Sequence, residues 1–197
     1  MKTELILASE SSVRRQILTN ANIRFKSVSA TIDEEGIKKG CLIEKIKLDR
    51  ISDILADYKA KKISSKFPGT LVLGCDQTLI FNDKLLSKIT KKTDIFNRLK
   101  SMNGNKHSLF SSAVIYLDNV SIWRITTKAT LKMRNNKEAY LKEYIDRNYN
   151  QIVRSAGCYM MEGEGVRLFS EIEGDYFSIL GIPLLPVLNF FYTRGEI

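Results

Sequence analysis

The sequence predicts a single α/β domain over residues 1–197, with a mixed, twisted sheet and flanking helices. Short apolar runs typical of buried strands alternate along the chain with amphipathic stretches typical of helices. Two long strand-like segments flank the turn-like pair Asp118–Asn119, which indicates an antiparallel hairpin beside otherwise parallel neighbours. At 197 residues, the chain is long enough to bury one substantial core.

The N-terminal segment has the pattern of a strand, a loop and a helix. An apolar run at residues 5–8 ends in Ser-Glu-Ser-Ser at residues 9–12, and an amphipathic stretch follows at residues 13–18. Residues of this polar type cap helix N-termini. Because the free N–H groups and positive dipole end of such a helix attract phosphate, this junction is a candidate phosphate site. Arg14 and Arg15 add positive charge to it.

The middle of the chain is predicted to contain a strand at residues 25–29, a loop at 32–40 and one long helix at 43–67. Residues 71–75 have the pattern of a buried strand that ends in Asp76, and residues 79–81 resume this pattern. In open α/β sheets, ligands bind beyond the carboxyl ends of strands. Ser9 and Asp76, which each follow an apolar run, are therefore expected at that edge.

The second half of the chain continues the alternation. A helix is expected at residues 93–102, two strands at 108–117 and 121–133, and a further helix at 137–148. Residues 178–192 are apolar, but they are fewer than the roughly 20 that a membrane span needs. They are interpreted as buried C-terminal structure.

Charge and cysteine content narrow the class of protein. The net charge of +9 favours a polyanionic partner, whether a triphosphate, a nucleic acid or an acidic surface. The three cysteines form no CxxC pair, and one histidine cannot complete a zinc site with them. These features, with no export signal at the start, predict a reduced, cytoplasmic protein.

The sequence contains the groups that hydrolysis of a phosphoanhydride requires. That reaction needs cations on the phosphate oxygens, a carboxylate that holds metal or takes a proton, and a positioned water. Asp76 is the candidate carboxylate, because it interrupts an otherwise apolar run. The candidate phosphate-binding residues are Ser9, Ser11, Arg14, Arg15, Lys59 and Lys88.

A series of short motifs covers nearly the whole chain. It begins with Leu-Ala-Ser-Glu-Ser-Ser-Val-Arg at residues 7–14. The further motifs are Asp33-Glu34, Lys59-Ala60, Gly74-Cys75-Asp76, Leu86-Ser87-Lys88, His107, Ala156-Gly157-Cys158-Tyr159, Glu162-Gly163, residues 172–176 and residues 180–184. The first resembles Leu-Ala-Ser-x-Ser-Pro-x-Arg, the opening signature of the Maf family of nucleotide pyrophosphatases, and the others follow in that family's order.

This resemblance implies a Maf-type fold with two lobes around a central cleft, often as a homodimer. It also implies cleavage between the α and β phosphates of a nucleoside triphosphate with a divalent metal ion, Mg²⁺ or Mn²⁺. By position, Asp76 would be the base or a metal ligand, and Glu34 a second carboxylate near the metal. Lys59 and Lys88 would neutralise phosphate charge and orient water. The residues that would hold the triphosphate tail are Ser9 and Arg14.

Two further positions resemble the branch of the family that acts on 7-methyl-GTP. They are Gln77, directly after the aspartate, and Glu162; both are predicted to bind substrate. A carboxylate at Glu162 can accept hydrogen bonds from the N1–H and exocyclic amine of guanine, whereas pyrimidine carbonyls would face it as acceptors. The alternative for Glu162 is a cap on the following turn.

Two other functions stay open. One is a dTTP or UTP pyrophosphatase of the same family, and the other is a non-catalytic, basic nucleic-acid-binding regulator. Against the second, no aromatic residues are interleaved with lysines in an RNA-binding pattern, and no helix-turn-helix or zinc signature is present. The expected partner is therefore a nucleoside triphosphate, with no stable nucleic-acid partner and no membrane. His107 and Cys75 are expected to be structural.

Overall fold

Seven strands and seven α-helices form within residues 2–197, the part of the chain that the computed structural model describes. The strands are β1 (Leu5–Leu7), β2 (Lys26–Ser27), β3 (Leu71–Phe81), β4 (Lys84–Leu86), β5 (Lys106–Leu117), β6 (Val120–Met133) and β7 (Phe169–Glu173). The helices are α1 (Ser12–Asn20), α2 (Glu34–Ile43), α3 (Ile51–Ser64), α4 (Lys92–Met102), α5 (Glu138–Ile152), α6 (Tyr176–Ile179) and α7 (Leu184–Thr193). Over these residues, no helix combines the length and apolar character needed to cross a membrane.

The strands form one mixed sheet, which confirms the predicted fold class. Their order is β2-β1-β3-β5-β6-β7, and β4 pairs with β3 away from this path. β1 pairs in parallel with β2 and β3, while β4 and β7 pair antiparallel with β3 and β6. Asp118 and Asn119 have φ values of 50° and 67° between β5 and β6, as a two-residue hairpin turn requires.

The chain divides into two compact units. The first comprises the described residues up to Gln77 together with residues 110–127 and 175–197, and the second comprises residues 78–109 and 128–174. The arrangement of these units around a cleft remains a prediction.

In the first unit, apolar residues cover both faces of the sheet. Alternate residues of a strand point to opposite faces, so the strands divide their side chains between two cores. One core contains Leu5, Leu7, Leu71, Leu73, Cys75, Ala113 and Ile115, with Ile17 and Leu18 from α1 and Leu184, Val187 and Phe191 from α7. The other contains Ile6, Ala8, Val72, Val114 and Tyr116, with Ala56, Ala60 and Ile63 from α3. By this parity, Asp76 belongs on the α3 face.

Two predictions for residues 32–67 were wrong. The expected loop at residues 32–40 is largely helical, because Asp33 caps α2 by accepting from the Gly36 N–H at 2.9 Å. The expected single helix at residues 43–67 is interrupted: α2 ends at Ile43, and Lys45 has a φ of 55°. A 3₁₀ turn at Leu48–Arg50 then leads into α3.

Strand β3 also differs from its prediction. It does not end at Asp76 but runs without interruption to Phe81. Its parallel neighbour β1 ends at Leu7, which pairs with Leu73. Asp76 therefore lies inside a strand, three residues beyond the last pair that β1 forms with it.

Candidate active site

Helix α3 approaches β3 closely at Gly74. A Cβ atom there would lie 2.2 Å from the Ala56 carbonyl oxygen and 2.8 Å from the Ala60 Cβ atom. Only glycine fits this spacing, since carbon and oxygen atoms in contact are normally well over 3 Å apart. The absence of a side chain at Gly74 allows α3 to bring Lys59 to Asp76, two residues farther along β3.

Lys59 and Asp76 form a buried ion pair, with 8% and 6% of their surfaces exposed. Lys59 Nζ donates to Asp76 Oδ1 at 2.5 Å and also lies 2.7 Å from Glu34 Oε1 on the first turn of α2. One ammonium group therefore joins two carboxylates. The three side chains come from three elements and have a combined formal charge of −1. The structure thus brings together three of the predicted site residues, Asp76, Lys59 and Glu34, and their roles stay predictions.

The loop between β1 and α1 holds a second polar group in the same unit. Ser11 is the N-cap of α1 and accepts from the Arg14 backbone N–H at 3.3 Å. Ser9 is buried, and its Oγ accepts from the Ser11 N–H and from Arg14 Nη1, both at 3.2 Å. Both bonds use Ser9 Oγ as acceptor, so the hydroxyl hydrogen is available to a phosphate oxygen. The N-terminus of α1 is therefore capped and positively polarised, as the predicted phosphate site requires.

Arg14 connects this loop to β3. Its Nη1 donates to the Cys75 carbonyl at 2.9 Å, and its Nε donates to the Gly181 carbonyl at 2.7 Å. These bonds fix the guanidinium against the backbone of Cys75, the residue before Asp76. They leave the Nη2 group available to a ligand. Gly181 has a φ of 98°, and a Cβ atom there would lie 3.3 Å from Arg14 Nε. Glycine at this position therefore suits both the backbone conformation and the packing of Arg14.

Arg15 and Gln77 have different surroundings. Arg15 is exposed on α1, where its charge adds to that of the helix end. The Gln77 side-chain nitrogen donates to Ser111 Oγ at 2.9 Å and to the carbonyls of Ser178 and Ile179 at 2.8 and 2.9 Å. These bonds occupy the amide nitrogen within the protein, so Gln77 positions α6. Contact of Gln77 with a base stays a prediction.

Cys75 is fully buried, as expected. Burial raises the pKa of its thiol to about 11, so the thiol is protonated at neutral pH. It is therefore an inert core residue.

Lys88 and Glu162 belong to the second unit. Lys88 is exposed in the segment between β4 and α4, and Glu162 is exposed in a turn before the 3₁₀ helix Glu164–Leu168. Within residues 2–197, neither side chain forms an ion pair or hydrogen bond, so both are available to a ligand. The turn cap proposed as the alternative for Glu162 is not formed.

The second unit also contains supporting residues that sequence reasoning missed or interpreted only in outline. Arg98 Nη1 on α4 donates to the Ser87 carbonyl and, at 2.8 Å, to the Ala156 carbonyl. His107 is buried, and its Nε2 lies 2.7 Å from the Tyr159 hydroxyl. Burial lowers the pKa of His107 to about 4, so it is neutral near pH 7 and has the structural environment expected of it.

Asp76 and Glu34 are the candidate ligands for a divalent metal ion. Within residues 2–197, no cluster of three or more His, Cys, Asp or Glu side chains could hold such an ion. Mg²⁺ is commonly held by only one or two carboxylates, with the other positions filled by substrate phosphates and water. The pair Asp76 and Glu34 fits a metal ion of that kind, shared with a bound triphosphate.

Comparison with known proteins agrees with the motif series. The family model described as "Maf-like protein" matches residues 4–193. A "Nucleoside triphosphate pyrophosphatase" of Ruegeria pomeroyi is 46% identical over 197 residues, which cover 100% of this chain and 99% of that protein. A protein of the same name from Caulobacter vibrioides is 43% identical over 195 residues, covering 99% of this chain and 98% of that protein.

A third relative carries a narrower name. The "7-methyl-GTP pyrophosphatase" of Rhizobium etli is 38% identical over 197 residues, which cover 100% of this chain and 99% of that protein. Relatives of both names therefore match the chain from end to end. With the family model matching nearly every residue, the chain belongs to the Maf family.

Proposed function

We propose that this chain is a nucleoside triphosphate pyrophosphatase that hydrolyses the α–β phosphoanhydride and releases a nucleoside monophosphate and pyrophosphate. The observation that carries the proposal is the buried ion pair of Lys59 and Asp76, which the partly exposed Glu34 joins through Lys59. Arg14 binds the carbonyl of Cys75, the residue before Asp76. The names of the full-length relatives support the same reaction class. A binding protein would have no need to bury a lysine and an aspartate together, since burying charge is costly.

In this reaction, Asp76, Lys59 and Glu34 have different roles. A water oxygen attacks the α phosphorus, the bond to the bridging oxygen breaks, and pyrophosphate leaves. Asp76 takes the proton that the attacking water loses, and Lys59 holds the carboxylate in place through its bond to Oδ1. Asp76 and Glu34 would also hold a divalent ion, which when bound would neutralise phosphate charge and lower the pKa of water.

The triphosphate tail is assigned to the positive groups. The N-terminus of α1, the Ser9 hydroxyl and Arg14 Nη2 offer donors to phosphate oxygens, and Arg15 adds charge. Lys88 is assigned to a phosphate oxygen as well. The negative cluster attracts the metal ion while these groups attract the phosphates, so each half of the metal–triphosphate complex has a complementary site.

The substrate is proposed to be 7-methyl-GTP. Glu162 is exposed and has no partner within residues 2–197, so its carboxylate is available to the guanine N1–H and amine. Its negative charge also suits the cationic methylated ring. The relatives named 7-methyl-GTP pyrophosphatase support this substrate, while those with the broader name leave dTTP and UTP as the second candidates.

Product analysis on a set of nucleotides tests the proposal. Purified protein is incubated with 7-methyl-GTP, GTP, dTTP, UTP, CTP or ATP, with Mg²⁺, Mn²⁺ or chelator, and the products are separated by anion exchange. Metal-dependent formation of monophosphate and pyrophosphate, fastest from 7-methyl-GTP, is expected. Preference for dTTP or UTP would contradict the substrate while keeping the reaction. Absence of turnover, with salt-sensitive binding of random RNA, would favour the nucleic-acid-binding alternative.

A further inference from the structure

Arg98 links two backbone segments of the second unit that are far apart in sequence. Its Nη1 donates to the Ser87 carbonyl, which is part of the peptide bond to Lys88. The same nitrogen donates to the Ala156 carbonyl at 2.8 Å, at the start of the segment that leads to Glu162. One guanidinium nitrogen thus contacts the backbone of both segments that carry a predicted substrate-binding side chain.

Both segments need such support. The first connects β4, which ends at Leu86, to α4, which begins at Lys92, without helix or strand between them. The second includes Cys158, whose φ of 59° is in the left-handed region, and it packs through buried side chains such as Tyr159, whose hydroxyl lies 2.7 Å from His107 Nε2. Segments without helix or strand hydrogen bonds depend on side chains to hold their conformation.

The charge of Arg98 is used only on carbonyl groups. Within residues 2–197, no carboxylate forms an ion pair with Arg98. Its side-chain hydrogen bonds there are the two to the Ser87 and Ala156 carbonyls. Hydrogen bonds with a charged donor are stronger than those between neutral groups. Because Arg98 donates to a carbonyl in each of the two segments, we expect it to maintain the distance between them.

We propose that Arg98 is a positioning residue that fixes the backbone before Lys88 against the backbone at Ala156, and so orders the segments that carry Lys88 and Glu162. The proposal rests on the proposed function for the roles of those two side chains. Arg98 contacts no substrate; it limits where the phosphate-binding lysine and the base-binding carboxylate can lie. Misplacement of such groups by 1 Å can lower a rate by about 100-fold.

The substitution R98M tests this role without a large effect on folding. Arg98 lines an open surface pocket of about 470 Å³, together with Leu86 and Ile89, so water can fill the space that a shorter side chain leaves. The matched control is K100M on the same helix. Lys100 is exposed and pairs with Glu138 at the surface, so this change removes one positive charge without touching either segment. Thermal unfolding verifies that both variants are folded.

Amide hydrogen exchange gives the first readout. In R98M, exchange is expected to become faster in peptides covering residues 86–91 and in peptides covering residues 155–163, and K100M is expected to exchange like the unmutated protein. Unchanged exchange in either segment would overturn the proposal. This readout needs no turnover, so it decides the positioning role even if the unmutated protein releases no pyrophosphate and the proposed function fails.

A double-substitution cycle gives the second readout. R98M alone is expected to lower kcat/KM for 7-methyl-GTP by about 10- to 100-fold. Because Arg98 acts through the Lys88 segment, R98M should matter less where Lys88 is already alanine. The combined variant should retain at least about threefold more activity than the product of the single effects. A fully multiplicative loss would show that Arg98 acts independently of Lys88 and would overturn the proposal.

Discussion

Replacing Gly74 with alanine tests the packing that brings Lys59 to Asp76. The new Cβ atom would lie 2.2 Å from the Ala56 carbonyl oxygen, about 1 Å inside the closest normal contact. Because both partners are backbone or directly attached atoms, α3 must move away from β3 by roughly that distance. A parallel shift of Lys59 would lengthen its 2.5 Å bond to Asp76 to roughly 3.5 Å, at the limit of a hydrogen bond.

Two measurements follow from this geometry. Overpacking of this kind lowers the free energy of unfolding by about 1–3 kcal/mol, which urea unfolding would detect. The displaced lysine is expected to lower the rate of pyrophosphate release by about 100-fold. The control is G40A in α2, where a Cβ atom meets nothing within 4 Å. That change should stabilise the protein by about 0.5–1 kcal/mol and leave the rate unaltered.

The reasoning would be refuted if G74A unfolded at the same urea concentration as the unmutated protein and released pyrophosphate at the same rate. Such a result would mean that the helix does not depend on the missing side chain for its approach. A loss of stability with full activity would refute only the second step, the dependence of catalysis on the placement of Lys59.

Three further predictions concern the ionisable side chains of Lys59, Glu34 and His107. Replacing Lys59 with methionine leaves two carboxylates without their shared cation and should lower kcat/KM by about 100-fold or more. The control is Lys61→Met at an exposed position of the same helix. Equal activity of the two variants would contradict the catalytic role of Lys59. Replacing Glu34 with glutamine should raise several-fold the Mg²⁺ concentration needed for half-maximal activity, and an unchanged metal titration would remove Glu34 from the proposed metal site. The pKa of His107 is lowered from 6.5 to about 4, so the folded state disfavours its protonation; stability is full above pH 6.5 and declines as the pH falls towards 4, by about 3 kcal/mol in all. Urea unfolding of His107→Gln should lack this component, and an identical pH dependence of the two proteins would contradict it.

The strands and the hairpin could be predicted from sequence because their signals are local. The apolar runs at residues 5–8 and 71–75 and the pair Asp118–Asn119 determine β1, the first part of β3 and the turn between β5 and β6. The loop predicted at residues 32–40 was wrong because Asp33 caps a helix there, and Glu34 and Glu35 lie in its first turn, where acidic side chains are stabilising. The break near Lys45 has no glycine or proline to mark it.

The remaining differences depend on contacts between distant residues. Asp76 was expected to end its strand because it interrupts an apolar run, and an isolated charge in a core is costly. Lys59, 17 residues earlier in the chain, offsets that charge and allows β3 to continue. The contacts of Arg98 could likewise not be predicted from sequence, because the carbonyls it binds are 11 and 58 residues away. The motif series predicted the residues of the candidate site, whereas these pairings could be read only from the three-dimensional structure.

The most direct test of the central claim is the rate of pyrophosphate release from 7-methyl-GTP by the Asp76→Asn protein beside the unmutated one. Asparagine has nearly the same size and can still accept from Lys59, so the fold and the melting temperature should be retained. If Asp76 takes the proton of the attacking water, the rate should fall by at least about 100-fold. A folded Asp76→Asn protein that releases pyrophosphate at the unmutated rate would contradict the assignment of the reaction to this cluster.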